Sequence, residues 1–119
     1  MSDEYADWTP AHGAVEHEDV ATLARMLAAG TDPNEMGAGM TLLTHAIDAE
    51  GDGAFQTGEP LNVHTTAVLL GFGADPCLPD PGGRTPMSIA VSYRHDLAIK
   101  LLQAHIDRNN GNVQPHAGR

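Results

Sequence analysis

The sequence predicts an all-α domain, a short solenoid of three stacked helix-turn-helix pairs, and three observations carry that expectation. One phrase recurs: Thr9-Pro10-Ala11-His12-Gly13-Ala14, Thr41-Leu42-Leu43-Thr44-His45-Ala46 and Thr85-Pro86-Met87-Ser88-Ile89-Ala90 share the frame Thr-x-x-x-x-Ala. A second phrase follows each at a distance: Gly30-Thr31-Asp32-Pro33-Asn34, Gly73-Ala74-Asp75-Pro76-Cys77 and a degraded His105-Ile106-Asp107-Arg108-Asn109. Just ahead of it stand Met26-Leu27, Leu69-Leu70 and Leu101-Leu102. A unit of this kind cannot bury its apolar face alone, so the copies must stack.

Taken in order, each element has a local cause. Thr9 and Thr85 can cap a helix by accepting a backbone N–H, with Pro10 and Pro86 at the first helical position, where no N–H is needed. Helices are expected near 10–16, 42–49 and 86–93, one for each threonine. The second helix of the first pair, near 19–29, places Val20, Leu23, Met26 and Leu27 on one apolar stripe. Its counterpart near 62–71 has Asn62 as a cap, and a less regular third copy near 96–104 carries Leu97, Ile99, Leu101 and Leu102. Gly30 and Gly73 suit a left-handed residue ending the second helices, and Pro33 and Pro76 block continuation.

The spacing singles out the middle copy. Thr9 to Thr41 is 32 residues but Thr41 to Thr85 is 44, and the excess falls between the two helices of that copy, within residues 49–60. Gly51, Gly53, Gly58 and Pro60 make this an expected loop. Phe55 in its middle either folds back onto the array or contacts a partner.

The phrases resemble the ankyrin repeat, whose signature is T-P-L-H-x-A followed by a leucine-rich helix and a Gly-Ala-Asp turn. The resemblance covers residues 5–109, as repeats at about 5–36, 37–80 and 81–109, and leaves a polar tail, 110–119, expected to be disordered. It implies finger turns between repeats, a structural His12 bonding backbone between repeats, and partner binding on the concave side. By position, that side takes in Tyr5, Trp8, Glu16, His17, Met40, Asp48, Arg84 and Tyr93; Glu50, Asp52 and Phe55 join them if the added segment contributes. Aromatic residues and arginine are what interface hot spots favour.

Charge is the second informative feature. The chain of 119 residues has a net charge of −10, but residues 1–80 hold fourteen acidic residues against Arg25 alone, while Arg84, Arg94, Lys100, Arg108 and Arg119 outnumber Asp96 and Asp107 beyond them. Such a field repels nucleic acid and anionic membrane and attracts basic proteins, or serves solubility alone. An acidic start and the lack of a long apolar run argue against a secretory signal or membrane span. The single cysteine, Cys77, fits a reducing cytoplasm, and a lone lysine with abundant Ala and Gly fits a GC-rich bacterial genome.

Catalytic readings find little support. No His-x-x-x-His or Cys-x-x-Cys pair occurs, and Asp48, Glu50 and Asp52 lack the spacing of a calcium loop. Gly37-Ala38-Gly39 and Gly82-Gly83 have no phosphate-loop lysine, and Cys77 has no neighbouring base. No enzyme activity, cofactor or metal is expected. What remains is recognition by a monomeric module. A small acidic domain of this type resembles bacterial ankyrin-like immunity proteins, which implies an inhibitor of a basic, nuclease-like toxin. The alternative is a scaffold or regulator that docks a cellular protein without inhibiting it.

Overall fold

Each recurrent threonine starts a helix by the same contact. The Thr9 hydroxyl accepts the His12 N–H at 3.1 Å, Thr41 that of Thr44 at 2.9 Å and Thr85 that of Ser88 at 3.1 Å. In the second and third copies the Thr44 and Ser88 hydroxyls accept the cap residue's own N–H in return, closing a capping box. The protein is known from a computed structural model, which describes residues 9–113. Its elements are α1 (Pro10–Glu16), α2 (Val20–Ala28), β1 (Met36–Gly37), β2 (Met40–Thr41), α3 (Leu42–Thr57), α4 (His64–Gly71), α5 (Pro86–Ser92) and α6 (Asp96–Val113). Helices α1, α3 and α5 pack in one row and α2, α4 and α6 in a second.

The core lies between the rows. Val15, Leu23, Leu42, Leu43, Ile47, Leu69, Ala98 and Leu102 are buried there, and the alanine shared by the three phrases, Ala14, Ala46 and Ala90, is buried in each. Its small side chain lets neighbouring first helices approach.

The joints repeat bond for bond. At the end of α1, Glu18 N–H bonds Val15 O and Asp19 N–H bonds Ala14 O; at the end of α5, Arg94 N–H bonds Val91 O and His95 N–H bonds Ala90 O. Glu18 and Arg94 occupy the same left-handed position, φ 52° and 54°. The second helices stop alike. Thr31 N–H reaches Met26 O past Gly30 (φ 114°), and Ala74 N–H reaches Leu69 O past Gly73 (φ 100°). Both stops are Schellman turns. Strands β1 and β2 pair antiparallel, Met36 opposite Thr41, across Ala38 and Gly39, both at positive φ as a two-residue hairpin requires. The next finger is held by the buried Asp80 carboxylate, which accepts the Gly82 and Arg84 N–H groups and the Arg84 Nε–H. Asn34 Oδ1 accepts the Asp75 N–H at 2.8 Å and ties the first finger to the second.

Within 49–60, residues 49–57 are helix rather than the loop that their glycines suggest, and only 58–60 lie outside it. Helix α3 runs through Gly51 and Gly53 to Thr57 and ends at Gly58, which is left-handed at φ 76° and bonds Ala54 O. A helical glycine costs about 1 kcal/mol relative to alanine, and packing requires it at Gly51 but not at Gly53. A Cβ on Gly51 would lie 2.6 Å from Tyr93 Cδ2, because the Tyr93 ring sits directly on the helix backbone, and one on Gly53 would lie 3.2 Å from Glu18 Oε2. Asn62 is also not the helix cap: its Oδ1 accepts the His64 N–H, and Val63 at the cap position offers no side-chain hydrogen bond. The third copy differs as well. Its degraded phrase at His105 forms no turn, and α6 continues through residues 110–113, where a disordered tail was expected. His105 Nδ1–H bonds Leu101 O, and Gln103 bonds Asp107 one turn on, so the polar stretch supports its own helix.

A candidate protein-interaction site

The first helices present one continuous face, and α3 extends beyond the other two. Where α1 and α5 turn back after seven residues, α3 continues for two more turns, past Glu18 on one side and Tyr93 on the other. The base of this projection is anchored. Glu50, fully buried, accepts the Thr66 N–H at 3.0 Å and the Thr66 hydroxyl at 2.7 Å, so a carboxylate from α3 caps α4 in place of the missing local cap. Glu50 is therefore not a surface contact residue, contrary to the sequence expectation. Burial pushes its carboxyl up to about 7, against the opposing pull of the Thr66 hydrogen bonds. His95 Nε2 lies 3.8 Å from Glu50 Oε1, but its proton goes to Asn62 O at 2.8 Å while Nδ1 faces the Ala98 N–H, an arrangement that a neutral ring satisfies.

The remaining expected residues divide between structural and accessible ones. Tyr5 and Trp8 lie outside the described residues. Tyr93 is half-buried over Gly51 and donates its hydroxyl to Asp48 Oδ1 at 3.0 Å; desolvation and then that bond push the phenol up to about 12. This pair joins α3 to the end of α5. Met40 is half-buried on the first finger, and Arg84 is exposed on the second with Nε held by Asp80. His17, Asp52 and Phe55 are exposed. Phe55 stands out, 86 % exposed on the projecting turn.

His12 performs a backbone-bonding role of the kind the sequence suggests and adds to it. Its Nε2–H donates to Glu35 O at 3.1 Å, Nδ1 meets Nδ1 of His45 at 2.9 Å, and His45 Nε2 meets Glu16 Oε1 at 2.8 Å, the two rings stacking with centroids 5.1 Å apart. Three contacts need three protons, one more than two neutral imidazoles and a carboxylate supply. Burial pushes the His12 imidazole down, against the pull of the Glu35 carbonyl that it bonds, and the Glu16 carboxylate at the other end of the chain of contacts is half exposed. The displaced histidine of the second phrase thus couples the first helix pair to the second.

Two clefts flank the projection, each about 290 Å³. One is lined by Gly51, Ala54, Phe55, Glu59, Leu61 and Tyr93. The other carries Glu18, Glu50 and Glu59. Glu18, Glu59 and Leu61 escaped the sequence reading; the only signal was that Glu18 precedes a helix-capping aspartate as Arg94 precedes His95-Asp96. Among the described residues no group of His, Cys, Asp and Glu is arranged to hold a metal ion, and no helix is long and apolar enough to cross a membrane.

The architecture has a solved counterpart. An ankyrin repeat domain from Acinetobacter baumannii superposes with a TM-score of 0.69 at 29% identity, over 88% of this chain and 53% of that one. The fold is an ankyrin-repeat solenoid. Among curated proteins, human Rabankyrin-5 is 30% identical over 107 residues and mouse Rabankyrin-5 30% identical over 102, covering 81% and 79% of this chain. The chain spans about 8% of the length of either Rabankyrin-5. No protein-family model matches. An ankyrin solenoid is typically a non-enzymatic protein-interaction module, so the first-helix face and the projection of α3 are where a partner is to be sought.

Proposed function

We propose that this ankyrin module binds a basic protein through the acidic face of its first helices, and that it acts as an immunity protein, covering the cationic cleft of a nuclease-like toxin. The observation that carries the reading is the run of carboxylates along that face: Glu16 at the end of α1, Asp48 and Asp52 on α3, with Glu18 and Glu59 beside them. The nearby Arg84 is partly neutralised by Asp80. A field of one sign speeds the encounter with an oppositely charged partner and makes the on-rate fall with salt.

The test is capture from the native source at low ionic strength, identification of what a salt step releases, and assay of that protein's activity with and without the chain. A basic partner whose nucleic-acid cleavage stops on binding supports the inhibitor. A basic partner whose activity is unchanged moves the function to docking. An acidic or neutral partner, or an on-rate that Glu16→Lys with Asp48→Lys leaves untouched, would remove the electrostatic basis altogether.

A further inference from the structure

The projecting end of α3 is built unlike the rest of the array. Helical geometry places Gly51 and Phe55 on one side of the helix and Gly53 and Thr57 on the opposite side, at 100° per residue, with Ala54 between them. The two clefts follow that division. Phe55, Tyr93 and Leu61 line one, Glu18 and Glu50 the other, and both share Ala54 and Glu59. A small side chain thus forms a saddle between an apolar cleft and an acidic one. At about 290 Å³ each, the clefts fall just below the roughly 300–1,000 Å³ of small-molecule sites, a size that suits one large side chain apiece.

We propose that this ridge docks a segment of a basic partner protein that crosses Ala54, inserting a large apolar side chain against Phe55, Leu61 and Tyr93 and an arginine or lysine between Glu18 and Glu59. The exposure of Phe55 supplies the apolar anchor, and charge complementarity commits the occupant: Glu59 lines both clefts and Glu18 the second, so an acidic segment is repelled from both. The width of a helix, about 10 Å, corresponds to about three residues of extended chain at roughly 3.3 Å each. The apolar and the cationic residue of the partner therefore stand about three positions apart. The proposal rests on the reading of the chain as a binder of a basic protein and adds where, and by what pair of side chains, it binds.

The test is selection of a phage-displayed random dodecapeptide library on the full chain, followed by affinity measurement with the enriched peptides synthesised. Enriched sequences should pair a large apolar residue with Arg or Lys two to four positions away. Phe55→Ser should weaken them at least tenfold, and Glu18→Gln with Glu59→Gln about threefold to tenfold with a flatter salt dependence. All three positions are exposed or half-exposed, so the variants should keep the circular dichroism of the parent. Basic peptides that ignore Phe55→Ser but are lost in Glu16→Lys with Asp48→Lys would overturn the ridge and leave the face reading standing. Enrichment of neutral or acidic peptides, or no enrichment, would overturn both. Self-association of the chain that Phe55→Ser abolishes would overturn the foreign segment in favour of a second copy.

Discussion

The joint between α1 and α2 and the joint between α3 and α4 solve one problem in two ways. The first takes three residues, bonds only to itself, puts Glu18 in a left-handed conformation and caps α2 locally with Asp19, whose Oδ1 accepts the Thr22 N–H. The second lets the first helix run on for two turns, and α4 then begins without a side-chain cap of its own. Glu50 supplies that cap from a distance, and Tyr93 closes over Gly51 where α5 ends. An ankyrin pair can therefore lose its tight turn provided that the added segment takes over the contacts the turn region made. The base of the projection belongs to the fold, and its tip, from Ala54 outward, is left to solvent.

That contrast can be broken most severely at Gly51. Gly51→Val puts a branched side chain where Tyr93 already sits and should lower stability by about 3 kcal/mol in urea unfolding, the upper range for overpacking. In a mobile loop the same change would be almost silent, so a loss below about 0.5 kcal/mol would show that the ring does not lie on the helix.

The Glu50 cap gives a pH signature of similar or slightly smaller size. Its folded carboxyl is raised from 4.5 to about 7, so below about pH 4.5 both folded and unfolded states hold the proton and its contribution is intact. As pH rises towards about 7 the unfolded chain releases the proton first and stability falls; above that the loss levels off. At about 1.4 kcal/mol per pKa unit the fall is on the order of 3 kcal/mol. Glu50→Gln cannot ionise and keeps one acceptor for Thr66. Relative to the parent it should gain by up to that amount between pH 4.5 and 8, as read by the pH dependence of the difference in unfolding free energy. A difference that is flat with pH would mean that Glu50 is not buried.

Gly53 offers the gentlest comparison. Its only close neighbour is the end of the Glu18 side chain, which can move aside, so Gly53→Ala should raise the melting temperature by the equivalent of up to about 1 kcal/mol. A destabilising Gly53→Ala would place Glu18 in a more rigid role than its position suggests.

Most of the solenoid was legible because its signals are local. Thr9, Thr41 and Thr85 bond N–H groups three residues on, Gly30 and Gly73 end the second helices within their own turns, and the leucines repeat with helical spacing. The contents of 49–60 were not legible, because glycine carries two meanings. Gly58 is punctuation, a left-handed stop, whereas Gly51 makes room for Tyr93, 42 positions away in the sequence. Glu50 was misplaced for a related reason. An acidic residue in an acidic stretch looks like surface, and nothing near it announces that Val63 will leave α4 without a cap. The site was read in part: Asp48 and Tyr93 were assigned to one face and do meet across it, while Glu18, Glu59 and Leu61 acquire significance only once α3 extends between them.

Amide hydrogen exchange across α3 and the start of α4 tests the central claim most directly. If the projection is helix with an anchored base, the amides of residues 51–54 and of Thr66 should exchange only through global unfolding, with protection falling towards Thr57 as the tip frays. Unprotected exchange from residue 50 through 57, with the rest of the array still protected, would contradict the account and return the segment to the loop that its glycines suggest.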